Sequence, residues 1–186
     1  MNDSISPILL SGGFSLHPYT QLEAEQFAVP DAQTFDAFTT EDIRMFLPGL
    51  PIFSGTSAEK YFSILPQKDI MGAGKAFAIR FNSGFVGMII LDSPIYNSYS
   101  LGLDVWSIDF FILEPFRGRK VIMESLYRML ELSKKHLQID KLYASVDKRN
   151  TKCIHVLERF YFEHIQDDPT GKGALYMCDL NLLKFK

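Results

Sequence analysis

Val105-Trp106-Ser107-Ile108-Asp109-Phe110-Phe111-Ile112-Leu113-Glu114-Pro115-Phe116-Arg117-Gly118-Arg119-Lys120-Val121-Ile122 is the stretch on which the fold turns. Its first nine residues form the most hydrophobic strand in the chain. Side chains on a strand alternate between faces, so Trp106, Ile108, Phe110 and Ile112 share one side, and Ser107, Asp109 and Phe111 the other. Both sides carry apolar residues, as a central strand requires. Glu114-Pro115-Phe116-Arg117-Gly118 then turns the chain into a helix of about eighteen residues, with a stripe through Ile122, Met123, Leu126, Tyr127, Leu130 and Leu137.

Working outward, residues 141–146 read as a strand. The strand, helix, strand unit is expected to be a right-handed crossover that lays the two strands parallel. Upstream, the apolar runs 76–81 and 85–91 are joined by Asn82-Ser83-Gly84, which is hairpin punctuation, so they should pair antiparallel. Downstream come a helix over 151–160, a strand near 162–165, a turn at 169–173 and a last strand over 174–183. The first seventy residues are less regular. Ser11-Gly12-Gly13 reads as a turn before an edge strand at 14–16, and 31–46 as a loose helix stopped by Pro48, Gly49 and Pro51. A helix over 57–65 is expected to close at Pro66, and 92–102 reads as a polar connection. The order implies an α/β fold on a mixed, mostly antiparallel sheet with helices on both faces.

Composition bounds the function. At 186 residues with 47% apolar side chains, the chain suits one domain with one core of ordinary size. A net charge of -3, with both signs mixed along the chain, gives no field that would draw it onto nucleic acid or an anionic membrane. The amino-terminal segment carries an acid where a signal peptide wants a base, and its apolar run at 8–10 is too short to export or anchor a chain, so a cytoplasmic location is expected. Cys153 and Cys178 make no disulfide framework or zinc spacing, and four scattered histidines suggest no metal site.

Two segments carry chemistry. Arg117, Gly118, Arg119, Lys120, Val121 and Ile122 bring free backbone N–H groups and several cations to the start of a helix, where an anion such as a pyrophosphate is favoured. The plainer reading is a glycine-relaxed turn with solvated charges. In the second segment Asn150 stands at a helix start, where it either caps the helix or aims an amide at a ligand between the parallel strand ends. Cys153 in the next turn reads as a small buried hydrophobe rather than a nucleophile.

Together these segments resemble the GNAT superfamily, and in particular its ribosomal-protein alanine N-acetyltransferase branch, the RimJ/RimL group. That group shows a hydrophobic strand, the signature Q/R-x-x-G-x-G/A opening a helix, another strand, and then V-x-x-x-N-x-x-S-x-x-L-L-E-K-L-G-F. Val146, Asn150, Val156, Leu157, Glu158, Arg159, Phe160 and Phe162 fall on the second pattern in register, with Cys153 for its serine and Tyr161 for its glycine. Arg117-Gly118 matches the usual opening, whereas Lys120 stands at the first required glycine and Ile122 at the glycine or alanine. The likeness covers residues 75–183, with 1–70 as a variable helical region on the acceptor side of the same domain.

The resemblance implies acetyl-CoA as cosubstrate, held between a splayed parallel pair of central strands. Phe110, Phe111, Ile112 and Leu113 would give backbone hydrogen bonds to the pantetheine arm, residues 117–122 would wrap the pyrophosphate, and Asn150 and Cys153 would lie along the arm. The acceptor implied is a primary amine, either a peptide or protein N-terminus or a small amine, with a homodimer allowed. Many family members place a glutamate base where Ser107 stands here. Asp109, two residues on, is then either the base or a carboxylate held by a structural hydrogen bond. The oxyanion donor is expected near Phe111, and the tyrosine often used as general acid aligns with Leu157, leaving Tyr161 as a weak substitute that reads as core. An α-amine with a pKa near 8 is substantially neutral at cytoplasmic pH while a lysine near 10.4 is not, so a poorly equipped base favours the α-amine. The rival from another class is a silent binding module on the same scaffold. A nucleotide-binding protein is disfavoured by the lack of a GxGxxG or P-loop pattern.

Overall fold

The computed structural model describes residues 5–46, 57–100 and 102–185. The expected stop at Pro48, Gly49 and Pro51 therefore lies outside the described residues. The strands are β1 (Ile8–Leu9), β2 (Phe14–Pro18), β3 (Gly74–Phe81), β4 (Gly84–Asp92), β5 (Trp106–Ile112), β6 (Lys141–Asp147), β7 (Glu163–Asp167) and β8 (Gly173–Asp179). The helices are α1 (Gln21–Phe38), α2 (Glu41–Phe46), α3 (Ala58–Ile70), α4 (Pro94–Ser100), α5 (Val121–Lys135) and α6 (Thr151–Arg159). The sheet runs β1-β2-β3-β4-β5-β6-β8-β7, and β5–β6 is its parallel pair. All other neighbours are antiparallel.

Alternation along the strands divides the apolar residues between two cores. Phe77, Ile79, Ile89, Leu91, Ile108 and Ile112 face one side, where Leu126, Met129 and Leu130 of α5 and Leu157 of α6 cover them. Ala76, Ala78, Met88, Ile90 and Phe111 face the other, under α1 and α3. There Phe35, Phe62, Phe85 and Phe111 form a closed ring of aromatic contacts with centroids 5.2–6.1 Å apart, which fixes one end of β5. Arg80, 1% exposed, ties α1 to β3 through two 2.9 Å hydrogen bonds to Asp31 and one of 2.7 Å to Glu23. The buried cation is thus met by two carboxylates.

The β3–β4 hairpin forms as expected, with Asn82 and Ser83 both at positive φ between Phe81 and Gly84, the geometry of a two-residue type I′ turn. Three expectations fail at prolines. The first helix begins at Gln21, capped by Thr20, and runs through Pro30 rather than starting at 31, because Ala24, Ala28, Ala32 and Phe35 make one buried stripe. Likewise α3 continues through the buried Pro66 to Ile70. The expected polar connection at 92–102 contains α4, whose start Ser93-Pro94 is an N-cap and N1 pair: Ser93 Oγ accepts from Tyr96 N at 3.4 Å. Tyr161, read as core, is 73% exposed and sits at φ 61°, just past the end of α6, in the left-handed position where glycine is usual.

Candidate active site

Strands β5 and β6 pair only at Trp106–Leu142 and Ser107–Tyr143, and beyond that they part. Leu113 N donates to Val86 O at 2.9 Å on β4. Backbone groups alternate along a strand, so Asp109 and Phe111 direct theirs to β4 as well, and Ile108, Phe110 and Ile112 direct theirs into the gap. Arg117 Nε confirms that edge by donating to Ile112 O at 3.2 Å. The donors expected at Phe111 and Leu113 are therefore spent on β4, and those facing the gap belong to Phe110 and Ile112. Leu113 is fully buried in the second core rather than lining the gap.

A cavity of about 260 Å³ opens at this gap. It brings together Asp109, Phe110, Phe111, Ile112, Arg117, Gly118, Arg119, Lys120, Val121, Ile122, Asn150 and Cys153, with Lys152 beside them. Lys120 is the residue before α5 and lies at φ 60°, so the glycine of the signature serves here as a left-handed hinge as well as a close-approach point. The lysine adopts the same conformation, at a cost of about 1–2 kcal/mol. The first N–H groups of α5 face the cavity end, and the acid of that turn, Glu124, is drawn away to the backbone N–H and hydroxyl of Ser11. Arg117 is engaged by Ile112 O and Thr40 Oγ1, which makes it a brace for the turn. Arg119 and Lys120 remain exposed. Asn150 does cap α6, its Oδ1 accepting from Cys153 N at 3.1 Å. Its Nδ2 group has no bond among the described residues, so capping and ligand binding are compatible. Burial, with the Asp109 charge, pushes the Cys153 thiol up to about 12, which suits an inert wall.

A second cavity, about 420 Å³, lies on the other side of β5. Its walls include Tyr61, Tyr96 and Tyr143, and its floor Asp92, Ser107 and Asp109. Ser107 is buried and accepts from Asn97 Nδ2 at 2.9 Å; the same amide reaches Asp92 O and Val105 O, so Ser107 forms part of the weld between α4 and β5. Asp109 has no hydrogen bond or ion pair among the described residues, so the structural-bond alternative finds no partner there. Burial first, and the Asp92 charge second, push its carboxyl up to about 6, against a smaller opposing pull from Lys68. Six residues face both cavities: Phe46, Asp109, Phe110, Phe111, Ser145 and Val146.

Sequence reasoning missed Lys68, Asp92, Tyr61, Tyr96 and Asn97, which come from α3, β4 and α4 and share no local pattern. Only the Ser93-Pro94 start could have announced α4. Among the described residues no cluster of His, Cys, Asp or Glu could hold a metal ion, and no helix is long and apolar enough to cross a membrane.

A mixed sheet whose central parallel strands splay beside a helix start defines an acyltransferase-type α/β fold. A family model described as an acetyltransferase (GNAT) domain matches residues 21–163, and the chain belongs to that family. The match begins at α1, well upstream of the 75–183 likeness seen in the sequence. Among solved structures, the chain is similar to RimL, the ribosomal L7/L12 α-N-protein acetyltransferase, in complex with CoA disulfide-linked to a cysteine of that protein. The identity is 14%, with 93% of this chain and 97% of that one covered, at a TM-score of 0.70. It is also similar to Mycobacterium smegmatis RimJ in complex with CoA-disulfide, at 15% identity over 97% and 88% and a TM-score of 0.69. A third is the Salmonella typhimurium acetyltransferase that modifies the N-terminal serine of L7/L12, at 14% over 93% and 98% and 0.66. No curated protein sequence matches.

Proposed function

We propose that the chain is a cytoplasmic, acetyl-CoA-dependent N-acetyltransferase that moves the acetyl group to a primary amine, either a peptide or protein N-terminus or a small amine, by direct attack. The observation that carries this reading is the junction of the two cavities at Asp109 and Phe110, where ligands entering from opposite sides of β5 would meet. Acetyl-CoA suits the gap cavity. Arg119, Lys120 and the first N–H groups of α5 would face the pyrophosphate, and the Phe110 and Ile112 backbone and Asn150 Nδ2 would face the amide-bearing arm. Solved relatives that carry CoA support the assignment.

The amine would occupy the tyrosine-walled cavity. Asp109 takes one proton from the ammonium, the freed amine forms the C–N bond as the thioester C–S bond breaks, and the second nitrogen proton leaves with the thiolate to give the thiol. Asp109 then returns its proton to solvent. A gap-facing N–H of Phe110 or Ile112 supports the carbonyl oxygen as it gains charge. A base near 6 handles an α-amine better than a lysine, whose proton is held over two pH units more tightly.

Calorimetric titration of acetyl-CoA into the wild type and into an Arg119→Ala/Lys120→Ala variant tests the reading. Saturable binding, weakened about tenfold in the variant, is expected from the loss of two cations at a helix start. No binding to the wild type at millimolar cosubstrate would overturn the enzyme reading in favour of a silent module on this scaffold.

A further inference from the structure

Asp109 is cross-strand from Ile90, and Asp92 is paired with Ser107, so the two carboxylates are diagonal neighbours on one sheet face. Both line the second cavity. Asp92 is buried at 7% exposure and is ion-paired with Lys68, whose ammonium also lies 3.9 Å from the centre of the Tyr96 ring. The side chain of Lys68 is thereby held from two sides. Asn97 Nδ2 donates to the Asp92 carbonyl, which fixes the backbone that carries the carboxylate.

We propose that Asp92 and Lys68 form a positioning pair that sets the pH at which Asp109 accepts a proton; the inference rests on the base role given to Asp109 above. A second carboxylate on the same sheet face, that of the buried Asp92, makes Asp109 hold its proton more tightly. Lys68 cancels part of that effect. The cluster carries one net negative charge when both acids are ionised, enough to attract an ammonium without locking Asp109 in its protonated form. The other titratable or charged groups lining the two cavities among the described residues are Tyr61 on α3, Tyr96 on α4, Tyr143 on β6, Lys152 and Cys153 on α6, the cations Arg117, Arg119 and Lys120 of the turn before α5, and Asp147, Asp168 and Lys172. Burial and the two acids push the Tyr61 hydroxyl further up, and the Cys153 thiol is near 12, so neither ionises near neutral pH. Asp147 and Asp168, at the far end of the cavity, are held by Arg149 and by the 168–173 turn.

The test follows the Asp109 side-chain carboxyl by carbon NMR across pH in the free protein and, in parallel, the acid limb of kcat/KM against pH with an N-terminal peptide or small amine. Asp92→Asn removes the like charge and leaves Lys68 facing Asp109, so both midpoints should fall by about one pH unit or more. Asp92→Glu should restore most of the shift, which a merely structural role would not predict. If Asp92→Asn fails to fold, Lys68→Met tests the pair from the other side. The two carboxylates then share a proton to higher pH, and the last step of their titration should rise by about one pH unit. Midpoints unmoved in the folded variant overturn the inference. A shifted NMR midpoint in a protein that acetylates no amine would uphold the pair and sink the base role instead.

Discussion

The two cavities on either side of β5 are built in opposite ways. The gap cavity is built largely from consecutive residues: one strand edge, one turn and one helix start within residues 108–122, joined by Ile43 and Phe46 of α2, Ala144, Ser145 and Val146 of β6, and Asn150, Lys152, Cys153 and Val156 from a second short segment. The tyrosine-walled cavity draws single side chains from α2, α3, β4, α4, β5, β6 and the 168–173 turn. Backbone chemistry tolerates substitution, so Lys120 can replace a glycine and keep the conformation. Side-chain chemistry does not, and the titration of Asp109 depends on neighbours as far as 41 residues away in sequence, as Lys68 is.

The largest effect that would break this contrast is at their junction. Asp109→Asn should lower kcat/KM by roughly 10²–10⁴-fold for any amine that the wild type acetylates, read in a thiol-release assay. The same change should stabilise the fold in a pH-dependent way. The carboxyl is raised in the folded state to about 6, so the contribution of Asp109 to stability is largest below the ordinary carboxylate range and is lost as pH rises through 6. The gain from asparagine should therefore be near zero at about pH 4 and on the order of 2 kcal/mol above about pH 7, measured by urea unfolding at both values. A gain independent of pH would mean that Asp109 is not desolvated.

On the gap side the expected effects are smaller. Lys120→Gly relieves a left-handed lysine and should raise stability by about 1 kcal/mol, with acetyl-CoA affinity moving only a fewfold through loss of one exposed cation. A large loss of affinity in that variant would show that the lysine side chain, and not the backbone at this position, holds the ligand. Smallest of all, Ser125→Ala on α5 should be neutral to slightly stabilising, by up to about 1 kcal/mol, because the Ser125 hydroxyl is buried without a hydrogen-bond partner among the described residues. A measurable loss in thermal unfolding would reveal a contact on that face of α5.

The same contrast governs what could be read from sequence. The β5, turn, α5, β6, α6 unit was legible because its signals are local: alternation, an Arg-Gly turn, a 3.6-residue stripe and a capping Asn150. Leu126 and Leu130 of the expected stripe are buried, and the buried face around them turns toward Val121, Ser125 and Ser133. Val121, Ser125, Met129 and Leu132 are buried, whereas Met123 and Tyr127 are only half-buried, since two serines hide at positions that hydropathy marks as polar. The N-terminal half misled at Pro30 and Pro66, where tertiary burial of α1 and α3 outweighs the local cost of a missing N–H. Lys68, Asp92 and Asn97 were illegible because each has a common surface or turn role on its own. Their meaning comes from register, Asp92 opposite Ser107 and Ile90 opposite Asp109, which a single chain does not display.

Phe46 touches both cavities from the end of α2, as do Phe110, Phe111, Ser145 and Val146. A partition shared by two compartments carries no private signal for either one. Kinetic constants for the cosubstrate and for the amine should move together when any of these five residues is altered. A residue facing only one compartment, such as Arg119 or Tyr96, should move one constant and leave the other in place.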